Sequence, residues 1–149
     1  MKSIKEIRIE LVDAMIQNYV ESVGMTKEET YDAERKIWHW QHGSATIEVF
    51  VHSVDIGNDK TREYLRIFSF LAPLPKVSDL QLNQFLIRLL EMNDVNLGVK
   101  LTVMQGTQKV YATYERDIRG MDYVELATCI ADLEWWADKL DDELKLYYN

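Results

Sequence analysis

The 149-residue sequence predicts an α+β fold in the order α-β-β-β-α-β-β-α, with a five-stranded, mainly antiparallel sheet and helices packed on it. Three observations carry this reading. Three segments repeat apolar residues every three or four positions, as amphipathic helices do. Other stretches alternate apolar and polar residues, as half-buried strands do. Those strands come in runs joined by short Gly-containing turns, and such turns link antiparallel neighbours.

The first helix begins at a capping box, Ser3-Ile4-Lys5-Glu6. Ile4, Ile7, Leu11, Met15 and Tyr19 form its expected inward stripe, and Gly24 supplies the stop. Met25 to Glu34 is polar and acidic and reads as a loop, in which Thr26-x-x-Glu29 offers one capped turn. Lys36 to His42 and Ala45 to Val54 read as paired strands around a two-residue type II′ turn at Gly43-Ser44. That turn sets Trp40 opposite Ile47, His39 opposite Glu48 and Trp38 opposite Val49. Trp38, Trp40, Ile47, Val49 and Val51 then share one face, the expected core face. Asp55 to Thr61 reads as a loop.

Glu63 to Leu71 is the third strand, with Leu65, Ile67 and Leu71 on the core face; Pro73 and Pro75 end it. A second capping box, Ser78-x-x-Gln81, opens a helix to about Met92, with Leu82, Phe85, Leu86, Leu89 and Leu90 expected inward. Asn93, Asn96 and Gly98 suit the positive φ angles of a tight reversal. Val99 to Gln105 and Gln108 to Tyr114 form a second hairpin around Gly106-Thr107, with Val103 opposite Val110 and Leu101 opposite Ala112. Asp122-x-x-Glu125 opens the last helix, whose stripe is Tyr123, Leu126, Ile130, Leu133, Ala137, Leu140 and Leu144. Cys129 and Trp136 flank that stripe, and Trp135 points away from it.

This order of elements resembles the fold of class I type III secretion chaperones. The local text is similar to the YbjN domain family, which is thought to share that fold. The residues that carry the resemblance are Leu65-Arg66-Ile67-Phe68-Ser69 running into Pro73 and Pro75, Leu89-Leu90-Glu91-Met92-Asn93 with Asn96 and Gly98, the Gly106 hairpin and the closing amphipathic helix. The resemblance covers nearly the whole chain, so one domain is expected over residues 1–149. On the YbjN side it implies a regulatory protein, and on the chaperone side a homodimer that binds an extended segment of a client. It brings no family active-site residues.

Bulk properties narrow the function. The net charge is −8, and the 17 Lys and Arg are nowhere clustered in sequence, which argues against nucleic acid or anionic lipid as partners. Met121 to Asn149 alone holds eight acids against two lysines. The opening MKSIKEIRIE lacks an apolar signal region, and no apolar run approaches the roughly 20 residues that span a bilayer, so a cytoplasmic, soluble protein is expected.

Candidate chemistry is sparse. His39 and His42 should point to opposite faces of their strand, and His39 opposite Glu48 reads as a polar pair, so no metal site is expected. Cys129 reads as a buried, inert thiol. Gly43-Ser44 and Gly106-Thr107 lack the spacing of a phosphate loop, and Asp138 to Glu143 lacks that of a calcium loop. No catalytic set and no cofactor motif are present, so the chain reads as a non-enzyme. The candidate partner-binding residues are Ile37, Phe50, Phe68, Phe70, Met104 and Tyr111, opposite the core face, and Trp135 on the last helix. Either a helix covers that aromatic side as a second core, or it stays open for a partner. The expected function is a protein-interaction domain, chaperone-like or regulatory, binding another polypeptide or its own copy. The alternative is a small-ligand-binding protein or an enzyme.

Overall fold

The computed structural model describes residues 1–148. Helix α1 (Ile4–Ser22) starts at Ser3, which exchanges side-chain and backbone hydrogen bonds with Glu6. It ends in a Schellman motif. Gly24 adopts φ +87°, its N–H donates to the Glu21 carbonyl, and the Met25 N–H donates to the Val20 carbonyl. There follow α2 (Lys27–Thr30), β1 (Tyr31–Asp32), β2 (Ile37–His42), β3 (Ala45–Gly57) and β4 (Lys60–Pro73). Then come α3 (Asp79–Val95), β5 (Lys100–Met104), β6 (Lys109–Asp117), α4 (Tyr123–Leu144) and a 3-10 turn, Lys145–Tyr147. All four helices carry a reciprocal capping box at the N-terminus.

The strands form one sheet in the order β1-β2-β3-β4-β6-β5, every neighbour antiparallel. The register read from the turns holds: Trp38 faces Val49, Trp40 faces Ile47, Leu101 faces Ala112 and Val103 faces Val110. Helix α4 lies across β3, β4 and β6, α1 packs on α4, and α3 packs on β5. Trp38, Trp40, Ile47, Val49, Leu65, Ile67 and Ala112 meet the helices in one buried cluster.

Several expectations need correction. The sheet has six strands rather than five, because Tyr31 and Asp32 pair with Trp38 and Ile37 as a short edge strand. Residues 27–30, read as loop, form the capped turn α2. The loop expected over Asp55 to Thr61 is a continuation of the β3–β4 hairpin, closed by Gly57 pairing with Lys60. Asn58 and Asp59 both take positive φ, 55° and 57°, as a type I′ turn requires.

Of the expected stripe of α1, Tyr19 is buried and Met15 packs against the core, while Ile4, Ile7 and Leu11 are exposed and Val12, Ile16 and Val20 complete the inward side. Both sets have helical spacing, so periodicity alone could not choose; packing on α4 does. In α3 the buried residues are Phe85, Leu89 and Met92, whereas Leu90 is exposed and Leu82 and Leu86 are half-buried. In α4 the expected stripe holds except for Tyr123, which is exposed, and Cys129 and Glu134 join the buried set.

In the Asn-rich corner only Gly98 has positive φ, +77°; Asn96 sits at −85°. The corner is held by side chains instead. The Asn93 amide accepts from the Leu101 N–H at 2.6 Å and donates to the Leu101 carbonyl at 3.1 Å. It stands in for a further strand along the edge of β5.

Candidate partner-binding face

Strand alternation places Phe50, Phe68, Phe70 and Tyr111 on the side of the sheet away from the helices. The buried apolar residues of α1, α3 and α4 all join the core cluster on the other side, and Phe68 is not part of it. The aromatic side is therefore open. Register brings its rings together, since Phe70 pairs with Tyr111 and Phe68 lies diagonal to Phe50. Phe50 and Phe68 meet edge to face with centroids 5.4 Å apart. Tyr111 stands 5.8 Å from Phe68 and 5.6 Å from Phe70.

Cations roof this ladder. The Arg66 guanidinium lies 4.5 Å from the Phe68 ring and bonds Glu115 at 3.1 Å, and Lys109 Nζ lies 5.6 Å from Phe70. Such contacts stabilise by about 0.5–1 kcal/mol where exposed. Phe68 is thereby only 7% exposed, whereas Phe70 at the margin is 43% exposed. Beside the ladder is a hollow of about 400 Å³ lined by Arg66, Phe68, Thr102, Met104, Tyr111 and Glu115, among others.

The structure thus joins Phe50, Phe68, Phe70, Met104 and Tyr111 of the candidate set. Ile37 is half-buried at the start of β2, paired with Asp32, at the margin of that side. Trp135 lies apart, on α4, and is 57% exposed. It meets Trp136 edge to face at 4.8 Å, and Lys139 Nζ sits 5.1 Å and 4.9 Å from the two rings.

Two features escaped the sequence reading. The outer side of α3 with its flanks is apolar: Leu80, Ile87, Leu90, Val95 and Leu97 are exposed, and so is Val103 on β5. The signal was present, because α3 has more apolar residues than one inward stripe can use. The other feature is a buried carboxylate. Glu134 is 6% exposed; it accepts hydrogen bonds from the Tyr19 hydroxyl and from Trp40 Nε1 at 3.1 Å, and His42 Nδ1 lies 3.0 Å from its carboxylate. Burial, and then the bond to Glu134, push the Tyr19 hydroxyl well above the usual tyrosine range. This cluster ties α1, β2 and α4 together, and nothing in sequence spacing announces it.

Among the described residues no group of three or more His, Cys, Asp or Glu converges as metal ligands would. His39 and His52 are exposed on the open side, His42 is on the helix side, and Cys129 is buried in the core. No described helix is long and apolar enough to cross a membrane.

The fold is that of type III secretion chaperones. A chain of the HopA1–SchA chaperone–effector complex matches with TM-score 0.62 at 14% identity, covering 88% of this chain and 93% of that one. A chain of the ExsC–ExsE complex matches with TM-score 0.64 at 11% identity, covering 90% and 93%. A chain of the complex of the Yersinia pestis type III secretion chaperone SycH with a stable fragment of YscM2 matches with TM-score 0.54 at 14% identity, covering 85% and 97%. At these identities the likeness is one of fold. No family model and no curated protein sequence matches the chain.

Proposed function

We propose that this chain is a protein-binding domain, chaperone-like or regulatory, which captures another polypeptide or a second copy of itself and catalyses no reaction. The observation that carries this is the open aromatic ladder of Phe50, Phe68, Phe70 and Tyr111, an aromatic surface that two cations roof but no helix covers. The apolar outer side of α3 and the exposed Ile4, Ile7 and Leu11 of α1 add further adhesive surface. The fold supports the same reading, since the solved structures that share it include a chaperone–effector complex and a type III secretion chaperone in complex with a fragment of another protein. Membership of the YbjN family, a single domain over residues 1–149, a homodimeric state and a cytoplasmic location belong to this proposal.

The test uses exposed positions, so that loss of binding is not loss of fold. Phe70→Asp, Leu90→Asp and Trp135→Ala should keep the circular dichroism of the wild type. At least one should weaken self-association in sedimentation, or client capture in a pull-down, by about tenfold or more. A wild type that is strictly monomeric, with every folded variant retaining every partner, would overturn the reading.

A further inference from the structure

Where α1 begins, the β3–β4 hairpin closes and β6 leads into α4, there is a pocket of about 420 Å³. Four of its lining residues are cations: Arg8 from α1, Lys60 and Arg62 from β4, and Arg119 beyond β6. One lining residue, Glu63, is an acid. The chain as a whole has 25 acids and 17 Lys and Arg, so the pocket inverts the balance of the molecule.

The nearby carboxylates cancel only part of that charge. Glu63 is buried and turned to other partners, accepting from Ser53 Oγ at 3.2 Å and lying 3.7 Å from Lys5 Nζ, which brings a fifth cation to the pocket's edge. Asp117 serves two guanidiniums at once, 3.6 Å from Arg62 Nε and 2.9 Å from both Nε and a terminal nitrogen of Arg119, so the free donors of the pocket are chiefly those of Arg8 and Lys60. Among the described residues Arg8 and Lys60 have no carboxylate within ion-pair distance. Like charges gathered around a concave surface repel each other and concentrate an opposite ion there. Guanidiniums offer paired N–H donors that match the oxygens of phosphate and carboxylate. Buried Ile118 and half-exposed Ile56 give the pocket an apolar wall, and its volume is within the range of small-molecule sites.

We propose that this pocket binds a small multivalent oxyanion carrying phosphate or carboxylate groups. The site is separate from the aromatic ladder and does not rest on the protein-binding reading.

Calorimetric titration of the full chain with pyrophosphate and with citrate tests it, the two anions separating phosphate from carboxylate as the group preferred. Saturable one-site binding of at least one is expected, weakening as salt rises. The surface double variant Arg8→Ala/Lys60→Ala should weaken it by about tenfold or more. Lys76→Ala/Arg88→Ala, which removes two cations elsewhere, should leave it intact, and so should Phe70→Asp. Absence of saturable binding for both anions, or equal loss in the two double variants, would overturn the proposal.

Discussion

The two sides of the sheet are written by the same strands with the same alternation, yet they keep their aromatic residues dry by different means. On the covered side Trp38 and Trp40 are buried by α1 and α4, and each indole N–H finds a carboxylate: Asp13 for Trp38 at 3.2 Å and Glu134 for Trp40 at 3.1 Å. On the open side Phe68 is buried by its own neighbours, two rings and the Arg66 guanidinium. The first side depends on a second layer of structure for its stability. The second depends only on cross-strand pairs, so it stays apolar and available. Mutations should therefore split by side, with stability lost on one and binding lost on the other.

The largest effect is expected at Trp40. Trp40→Ala removes a buried ring and one of the donors to Glu134, and large aromatic truncations in cores cost about 3–5 kcal/mol. Urea denaturation should show a lower midpoint at an unchanged slope, with midpoint shift times slope equal to that loss. A loss below about 1 kcal/mol would mean that the helix layer does not set the stability of this side.

Next is the Tyr19–Glu134 bond that fastens α1 to α4. Tyr19→Phe should cost about 1.5–3 kcal/mol, the range for a hydrogen bond to a charged group. The bond also has a pH signature. The folded state holds the Tyr19 proton above the usual tyrosine range, by burial first and then by the carboxylate. The contribution is whole below about pH 10, the unfolded value, and is lost as pH climbs from there through the folded value. Alkaline melts of the wild type should fall in that window, and Tyr19→Phe should lack that part of the fall.

How far these contrasts were legible depended on how local their causes are. The hairpin register was legible because a two-residue turn at Gly43-Ser44 fixes which residues face each other, and alternation then assigns both sides of the sheet. The companionship of Phe50, Phe68, Phe70 and Tyr111 followed from the same parity. Whether a helix covers them was not legible, because that depends on which side the helices choose. The inward side of α1 was read only in part, at Met15 and Tyr19, for a related reason. Ile4, Ile7 and Leu11 are as regularly spaced as Val12, Ile16 and Val20, and only the contact with α4 separates them. Glu134 was one acid among eight in its segment, and the residues that meet it come from positions 19, 40 and 42. Gly98 was read correctly as a positive-φ position, but its tighter constraint is tertiary.

That constraint gives the third prediction, at the rim of the covered side. A Cβ on Gly98 would lie 2.4 Å from a ring carbon of Tyr114, and φ is +77°. Gly98→Ala combines a backbone penalty with a clash, so it should cost more than about 1 kcal/mol. Gly106 also has positive φ, +78°, but open space around its Cβ. Gly106→Ala should therefore cost less in the same denaturant series, and equal losses would show that backbone conformation alone matters at Gly98.

The smallest effect on stability is expected at Phe70, and there the comparison is sharpest. Its ring is 43% exposed, touching Tyr111 at 5.6 Å and Lys109 at 5.6 Å, with no helix above it. Exposed cross-strand and cation–π pairs stabilise by only some tenths of a kilocalorie to about 1 kcal/mol. Phe70→Ala should thus cost less than about 1 kcal/mol in urea denaturation. Truncating Phe68, 7% exposed in the middle of the ladder, should cost more because its contacts on both flanks go with it. The order Phe68 above Phe70 is what a self-buried ladder requires. If Phe70→Ala proved as damaging as Trp40→Ala, the open side would be a second core, and the protein-binding reading would lose the surface on which it stands.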